Sequence, residues 1–315
     1  MDRRPAAPRT PRRDLHGVLL LDKPLGWSSN DALQKAKGLL RALKGGHTGT
    51  LDPLATGLLP LCFGAATKFA QASLDADKRY RATILLGQRT TTGDGEGEVV
   101  ERRDVDVGLE QLRRACAGLT GAQQQKAPMH SAVKHQGRAL YEYARKGVEI
   151  DRPARDVTVH ALEIVEWASP CVVVDVRCSK GTYIRTLAED LGRSLGCGAT
   201  LQALRRTGSG ALDLREALTI EQLSAMDEDA RAARLLPPDV LLAGWPEVEL
   251  PADEAGRFLS GQRRRVDLPD LPAVRVYGPA THPGARRAFL GAAHVTRGEL
   301  IASRLLHPRE VQACA

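Results

Sequence analysis

The sequence predicts an α/β fold with a small β-rich module at its C-terminal end. Three observations carry this reading. Apolar runs with the alternation of strands are interleaved with segments whose apolar residues recur at helical spacing. That interleaving stops where Pro237, Pro238 and then Trp245-Pro246 break the pattern. Beyond Pro246 the chain holds short strand-like pieces, Val274 to Tyr277 and Ala288 to Gly291, set between Gly and Pro residues. The expected division is a disordered basic arm over residues 1–14, a large domain over 15–246 and a small one over 247–315.

Taken in order, Gly17 to Leu21 is an apolar run ending at Asp22-Lys23-Pro24, as a buried strand entering a turn would. Ser28 to Asp31 supplies a helix N-cap, and Leu33, Ala36, Leu40 and Leu43 follow at helical spacing. Gly45 and Gly46 stop that helix. Lys78 to Leu86 alternates, with Tyr80, Ala82 and Ile84 on one face, and reads as a half-buried strand. On this pattern alone Tyr80 is a core aromatic. Gln88 to Gly97 reads as a flexible connection in which Asp94 belongs to an Asp-Gly turn. Leu109 to Leu119 predicts a short helix. Lys126 to Gly147 mixes cations with Tyr141 and Tyr143, which suits either a solvated amphipathic helix or a surface that tracks a nucleic-acid backbone. Asp156 to Trp167 and Cys171 to Ser179 read as strands. Ile184, Leu187 and Leu191 then give helical spacing, placing Thr182 or Tyr183 at a helix N-terminus, a favourable place for an anion. Taken alone, Arg185 is an exposed helix cation. Thr200 to Arg206 reads as a capped short helix, and Thr219 with Gln222 as the capping box of another.

Composition narrows the function classes. The 315 residues carry a formal charge of +7, which favours an anionic partner such as nucleic acid. Six cysteines are scattered without a Cys-x-x-Cys pair, so reduced thiols in a cytoplasmic protein are expected. No apolar run reaches transmembrane length, and the Arg- and Pro-containing start lacks the apolar core of a secretory signal. There is no Walker lysine pattern and no dinucleotide fingerprint. His130 and His135, five apart with no carboxylate between them, make a poor metal site.

The most informative stretch runs from Gly45 to Pro60. It sets one acid, Asp52, among Gly46, Gly49, Gly57 and Pro53; such a loop can hold a carboxylate at a cleft edge, whereas on local grounds alone the favoured reading is an ordinary turn in which Asp52 bonds to nearby amides. This stretch closely resembles the signature of the TruB family of tRNA pseudouridine synthases, in which the Asp of a Gly-His-Thr-Gly-Thr-Leu-Asp-Pro run is catalytic. Other segments match the family in the same order. They are the segment from Asp22-Lys23-Pro24 to Asp31, Lys78-Arg79-Tyr80, Lys126 to Gly147, Lys180-Gly-Thr-Tyr-Ile-Arg185, and Leu204-Arg205-Arg206. The likeness runs from about Gly17 to Gly210 and is looser beyond.

The resemblance implies an α/β catalytic domain on a mixed, largely antiparallel sheet, followed by a PUA-like RNA-binding domain. It implies isomerisation of uridine to pseudouridine at position 55 in the tRNA T-loop, with the target nucleotide flipped out. Asp52 would act as nucleophile at C1′ or as base at C2′. Arg185 would pair with Asp52 and keep it ionised. Tyr80 would stack on the base and move the C2′ proton. Tyr183 would pack against the base, Leu204 and Arg205 would border the uracil pocket, and Lys23 would contact substrate. His47 would fill the space left by the flipped nucleotide; the plain alternative is a structural loop histidine. No cofactor and no metal are expected. The partner is the T-arm stem-loop, with no membrane and no obligate protein partner, and the protein is expected to be monomeric. Two other readings follow from the same motifs: a guide-RNA-dependent pseudouridine synthase, and an RNA-binding or tRNA-folding module. The joint presence of Asp52, Tyr80 and Arg185 speaks against a module without chemistry.

Overall fold

The computed structural model describes residues 11–131, 133–280, 284 and 286–314. The elements that position the site are β1 (Gly17–Lys23), α1 (Ser29–Leu39), β2 (Ala55–Phe63), β3 (Lys78–Leu86), α2 (Leu109–Gly118), β4 (Gly121–Lys126), α3 (Leu140–Ala144), β5 (Ala154–Ala168), β6 (Cys171–Cys178), α4 (Ile184–Ser194), β7 (Ala199–Ser209) and α5 (Ile220–Ala225). The strands form a nine-stranded mixed sheet in the order β1-β2-β7-β3-β6-β5-β4, with Gly45–His47 added beside β2 and Leu212–Asp213 beside β7. Among the described residues, its pairings are antiparallel except that β7 runs parallel to β2.

β1 and β2 are apolar on both faces because both faces are covered. Leu19, Leu21, Leu59 and Leu61 pack with Ala32, Leu33 and Ala36 of α1 and Leu223 of α5. Val18, Leu20, Leu58 and Cys62 face the opposite way, toward the C-terminal sheet. Further along the sheet, Ala82, Ile84, Val174 and Val176 pack with Leu112 of α2 and Leu187 and Leu191 of α4. α1 begins as its sequence predicts, with Ser28 and Asp31 forming a reciprocal capping box.

The second sheet has five strands: β8 (Glu247–Glu249), β9 (Arg264–Arg265), β10 (Leu271–Ala280), β11 (Arg287–Thr296) and β12 (Glu299–Leu305). It shares one core with the first: Val276, Phe289 and Leu300 belong to the same cluster as Val18 and Leu58. The ring centroids of Phe69 and Phe289 lie 5.2 Å apart across the seam.

Three sequence expectations are corrected. Thr200 to Arg206 is not a helix but the body of β7, which pairs with β3 on one side and β2 on the other; insertion between two strands outweighs the modest helix preference of Leu, Gln and Ala. Lys126 to Gly147 contains the end of β4, a hairpin pairing Lys134–His135 with Arg138–Ala139, and only the five-residue α3. Gln88 to Gly97 is stitched onto β7, Gly95 N donating to Leu201 O and Leu201 N to Gly93 O. Of the basic arm read over residues 1–14, residues 1–10 lie outside the described residues. Arg12 and Arg13 are tied to the end of α1: Arg13 N donates to Arg41 O at 2.7 Å and Arg12 Nη1 to Ala42 O at 3.1 Å. No helix among the described residues is long and apolar enough to cross a membrane.

Candidate active site

The loop bearing Asp52 joins the short strand Gly45–His47 to β2 and is clamped by the first turn of α1. Leu51 N donates to Ser29 Oγ at 2.8 Å, and Ser29 Oγ donates to Leu51 O at 3.1 Å. Gly26 N donates to Pro53 O, and Ala55 N to Asp52 O. Gly49 takes a positive φ of 88°, a conformation glycine adopts without the steric penalty of a side chain. The carboxylate is thereby fixed at the entry to the sheet, its side chain 44% exposed toward two cavities.

Arg185 comes from the first turn of α4 and is only 5% exposed. It does not point to solvent as an isolated helix cation would. Its Nη2 lies 2.9 Å from Asp52 Oδ2 and donates to His130 O at 2.5 Å; its Nη1 lies 3.3 Å from Asp94 Oδ2 and donates to Thr92 O at 3.2 Å. Asp94 is buried and accepts from Thr92 Oγ1 at 2.6 Å and from Glu96 N at 3.1 Å. One guanidinium thus bridges two carboxylates from separate segments. Burial raises the pKa of Asp52 above the ordinary carboxylate value, Arg185 opposes that rise, and the neighbouring Asp94 adds to it.

On one side of Asp52 lies a cavity of about 340 Å³ with apolar walls from Ala55, Tyr80, Val133, Ile184 and Leu204. On the other lies one of about 600 Å³, lined by His47, Asp94, His130, Tyr141 and Arg145 among others. Thr50, Leu51, Asp52, Ser131 and Arg185 border both. The Arg145 guanidinium stands 5.3 Å over the ring of Tyr141, an exposed aromatic beside the larger cavity.

Tyr80, Tyr183 and Leu204 meet in the smaller cavity. Tyr183 caps α4, and its N–H donates to Gln125 Oε1 at 2.9 Å. Burial raises the pKa of both tyrosines, and Arg206 works against that rise at Tyr80. His47 lines the larger cavity; burial and Arg206 lower its pKa, favouring the neutral imidazole, and its Nδ1 has no hydrogen-bond partner among the described residues.

Two residues expected at the substrate stand elsewhere. Lys23 is fully buried and outside both cavities, its Nζ donating to Pro24 O at 2.9 Å and Trp27 O at 2.6 Å. Burial lowers its pKa to about 8, and it holds the turn that precedes α1. Arg205 pairs with Asp22, Nη2 to Oδ2 at 2.5 Å and Nη1 to Oδ1 at 3.1 Å. The reason is the pleat: in a strand, Leu204 and Arg206 share one face and Arg205 takes the other. Arg206, 1% exposed, therefore lines the smaller cavity in place of Arg205. Reading the segment as a helix hid that parity. Asp94 was missed because its partner is 91 positions away, and Ser131 because nothing local marks it.

Comparison with known proteins places the chain in a family. Residues 37–184 match the TruB family pseudouridylate synthase (N terminal domain), residues 185–243 the tRNA pseudouridylate synthase B C-terminal domain, and residues 246–306 the family described as pseudouridine synthase II TruB, C-terminal. The chain is 56% identical over 305 residues to the tRNA pseudouridine synthase B of Ralstonia nicotianae, covering 95% of this chain and 96% of that protein. The protein of the same name from Burkholderia mallei is 53% identical over 306 residues, with 95% and 96% covered. Among solved structures, the archaeal box H/ACA sRNP Nop10–Cbf5 complex matches with a TM-score of 0.71 at 21% identity, over 95% of this chain and 88% of that one. A Cbf5–Nop10–Gar1 complex matches with a TM-score of 0.72 at 23% identity, over 94% and 86%. At these identities the two structures share the fold.

Proposed function

Because the chain belongs to the TruB family of pseudouridine synthases, we propose that it isomerises uridine to pseudouridine at position 55 in the T-loop of tRNA, with Asp52 as the reacting carboxylate. The enzyme is a pseudouridine synthase, and its relatives are named for tRNA. The observation that carries the finer reading is Asp52 at the junction of two cavities, held by Arg185 at 2.9 Å. The smaller cavity, with the apolar side chains of Ala55, Val133, Ile184 and Leu204 beside Tyr80, suits a flipped pyrimidine ring stacked on that tyrosine, and the larger suits the strand from which it comes.

In this reading the uridine leaves its stack at a cost of a few kcal/mol. Its base enters beside Tyr80, Leu204 and Tyr183, which brings C1′ and C2′ to Asp52. Arg185 favours the ionised carboxylate and fixes its direction, as an adjacent buried cation does. The C1′–N1 bond breaks, the base turns within the cavity, and C5 bonds to C1′. The electron pairs stay within the nucleotide, so the reaction needs no redox partner and no external energy. His47 occupies the space opposite the flipped base. Basic residues outside the cavities hold phosphates, and loop shape supplies recognition. The enzyme acts as a monomer without a protein partner.

The test is pseudouridine formation on an unmodified T-arm stem-loop with no added cofactor. Wild type is expected to convert the single target uridine. Asp52→Asn is expected to lose turnover by at least about 10³-fold, as for removal of a group made essential by the chemistry, while binding the stem-loop with little change. Lost binding would make Asp52 a structural residue, and conversion at another uridine would overturn the assigned position.

A further inference from the structure

Arg206 is the one arginine of the smaller cavity, apart from Arg185, among the described residues. It is 1% exposed, and no carboxylate lies within ion-pair distance of it among the described residues. Its Nε donates to Leu58 O at 2.7 Å and its Nη2 to Gly49 O at 3.2 Å, and it stands directly opposite Tyr80 in the register of β7 against β3, both residues lining the cavity. Arg185, by contrast, has two carboxylates. Lys78 lines the cavity too, and its Nζ donates only to the carbonyls of Ser73, Leu74 and Ala76. Its pKa, lowered to about 8 by burial, leaves it mostly protonated at neutral pH.

A buried cation without a counter-charge is costly to keep charged. Here, among the described residues, Arg206 and Lys78 both line the cavity without an ion pair, and Asp52, the only carboxylate lining it, is engaged by Arg185. A positive wall of this kind is complementary to an anion that exists only during the reaction. We infer that Arg206, across Tyr80, stabilises the negative charge on the departing uracil. This rests on the function proposed above. When C1′–N1 breaks, its electron pair leaves with the base and spreads over N1 and the carbonyl oxygens. C5 then supplies the pair for the C5–C1′ bond and loses its proton, N1 gains one, and the atoms balance without a co-reactant. Either role of Asp52 delivers the base with that pair. Arg206 is a positioning and electrostatic residue, and Tyr80 is the group that touches the base.

The experiment compares wild type, Arg206→Gln and Arg206→Lys in single turnover on stem-loops carrying uridine or 5-fluorouridine at the target. Loss of the target nucleoside is followed by digestion and chromatography. Fluorine steadies the anionic base by itself, so it substitutes for part of the arginine's effect. Arg206→Gln, which keeps N–H donors but no charge, is expected to slow uridine by about a hundredfold and 5-fluorouridine by about tenfold or less. Arg206→Lys, which keeps the charge, is expected to recover at least about tenfold of the loss on uridine. Each ratio is taken within one preparation, so a partly unfolded variant scales both substrates alike. Equal slowing on both bases, or an undiminished rate, would overturn the inference. Failure of wild type on uridine would overturn the parent reading, and no variant enters that measurement.

Discussion

Arg185 divides its guanidinium between Asp52 and Asp94, and both pairs constrain where the Asp52 carboxylate points. Asp94→Asn leaves the shape and removes one charge, so the guanidinium shifts toward Asp52 and loses its second anchor. The single-turnover rate should fall by about a hundredfold with stem-loop affinity nearly unchanged, since small misplacements of a reacting group have effects of that size. A rate within about twofold of wild type would remove Asp94 from the positioning role. Protonation of Asp52 supplies a second prediction. Its folded-state pKa lies above 3.8, mainly through burial. Folding therefore favours the protonated acid, and the ionised form lowers stability at every pH above the folded-state pKa. Activity, which needs the ionised form, should fall as pH drops through that raised value. Asp52→Asn should melt at or above the wild-type temperature at pH 7, and its advantage should shrink on acidification. A variant less stable than wild type at pH 7 would contradict this sign.

At the scale of elements, the parallel contact between β2 and β7 brings Asp52 and Arg206 into one site. Gly57 is where it is most demanding. Its φ is 98°, and a Cβ there would stand 2.3 Å from Arg206 O. Gly57→Ala should cost more than about 2 kcal/mol, because an unfavourable backbone conformation and a backbone clash act together. Urea unfolding measures this, and a midpoint equal to wild type would mean that β7 is free to shift. Gly192 plays the matching part in α4, with Ala199 N 2.1 Å from its virtual Cβ. α4 can therefore lie close on β7 and hold Arg185 against the Asp52 loop.

At the scale of the whole molecule, a modular tail would be expected to leave chemistry intact when removed. The shared core argues otherwise. Val18, Leu20, Leu58 and Cys62 are covered by the same cluster that contains Val276, Phe289 and Leu300. Ending the chain at Pro246 would expose this face, a contiguous apolar patch of the kind that drives aggregation. The shortened chain should therefore be recovered largely as aggregate, or unfold without a sharp transition. A soluble, cooperatively folding product with full activity on the T-arm stem-loop would show the seam to be dispensable.

The sequence by itself determined the elements whose evidence is local. The Ser28–Asp31 cap, the alternation of Lys78 to Leu86 and the helix start at Thr182 or Tyr183 are each visible within one or two turns of chain, and each is found in place, the last with Tyr183 as the cap. The motif around Asp52 carried the family, and the motif ending at Arg185 supplied the residue that stands 2.9 Å from it. Only the tertiary structure decided the parity of Leu204, Arg205 and Arg206. Helix and strand preferences of that stretch are nearly balanced, and pairing with β2 and β3 settled the matter. The same holds for Asp94, whose Asp-Gly context reads as a turn until Arg185 is placed beside it, and for Lys23, whose charge is buried on carbonyls of its own turn. Local preference involves fractions of a kcal/mol, whereas burial of charge and strand insertion involve several. Where the two conflict, the assembled fold prevails.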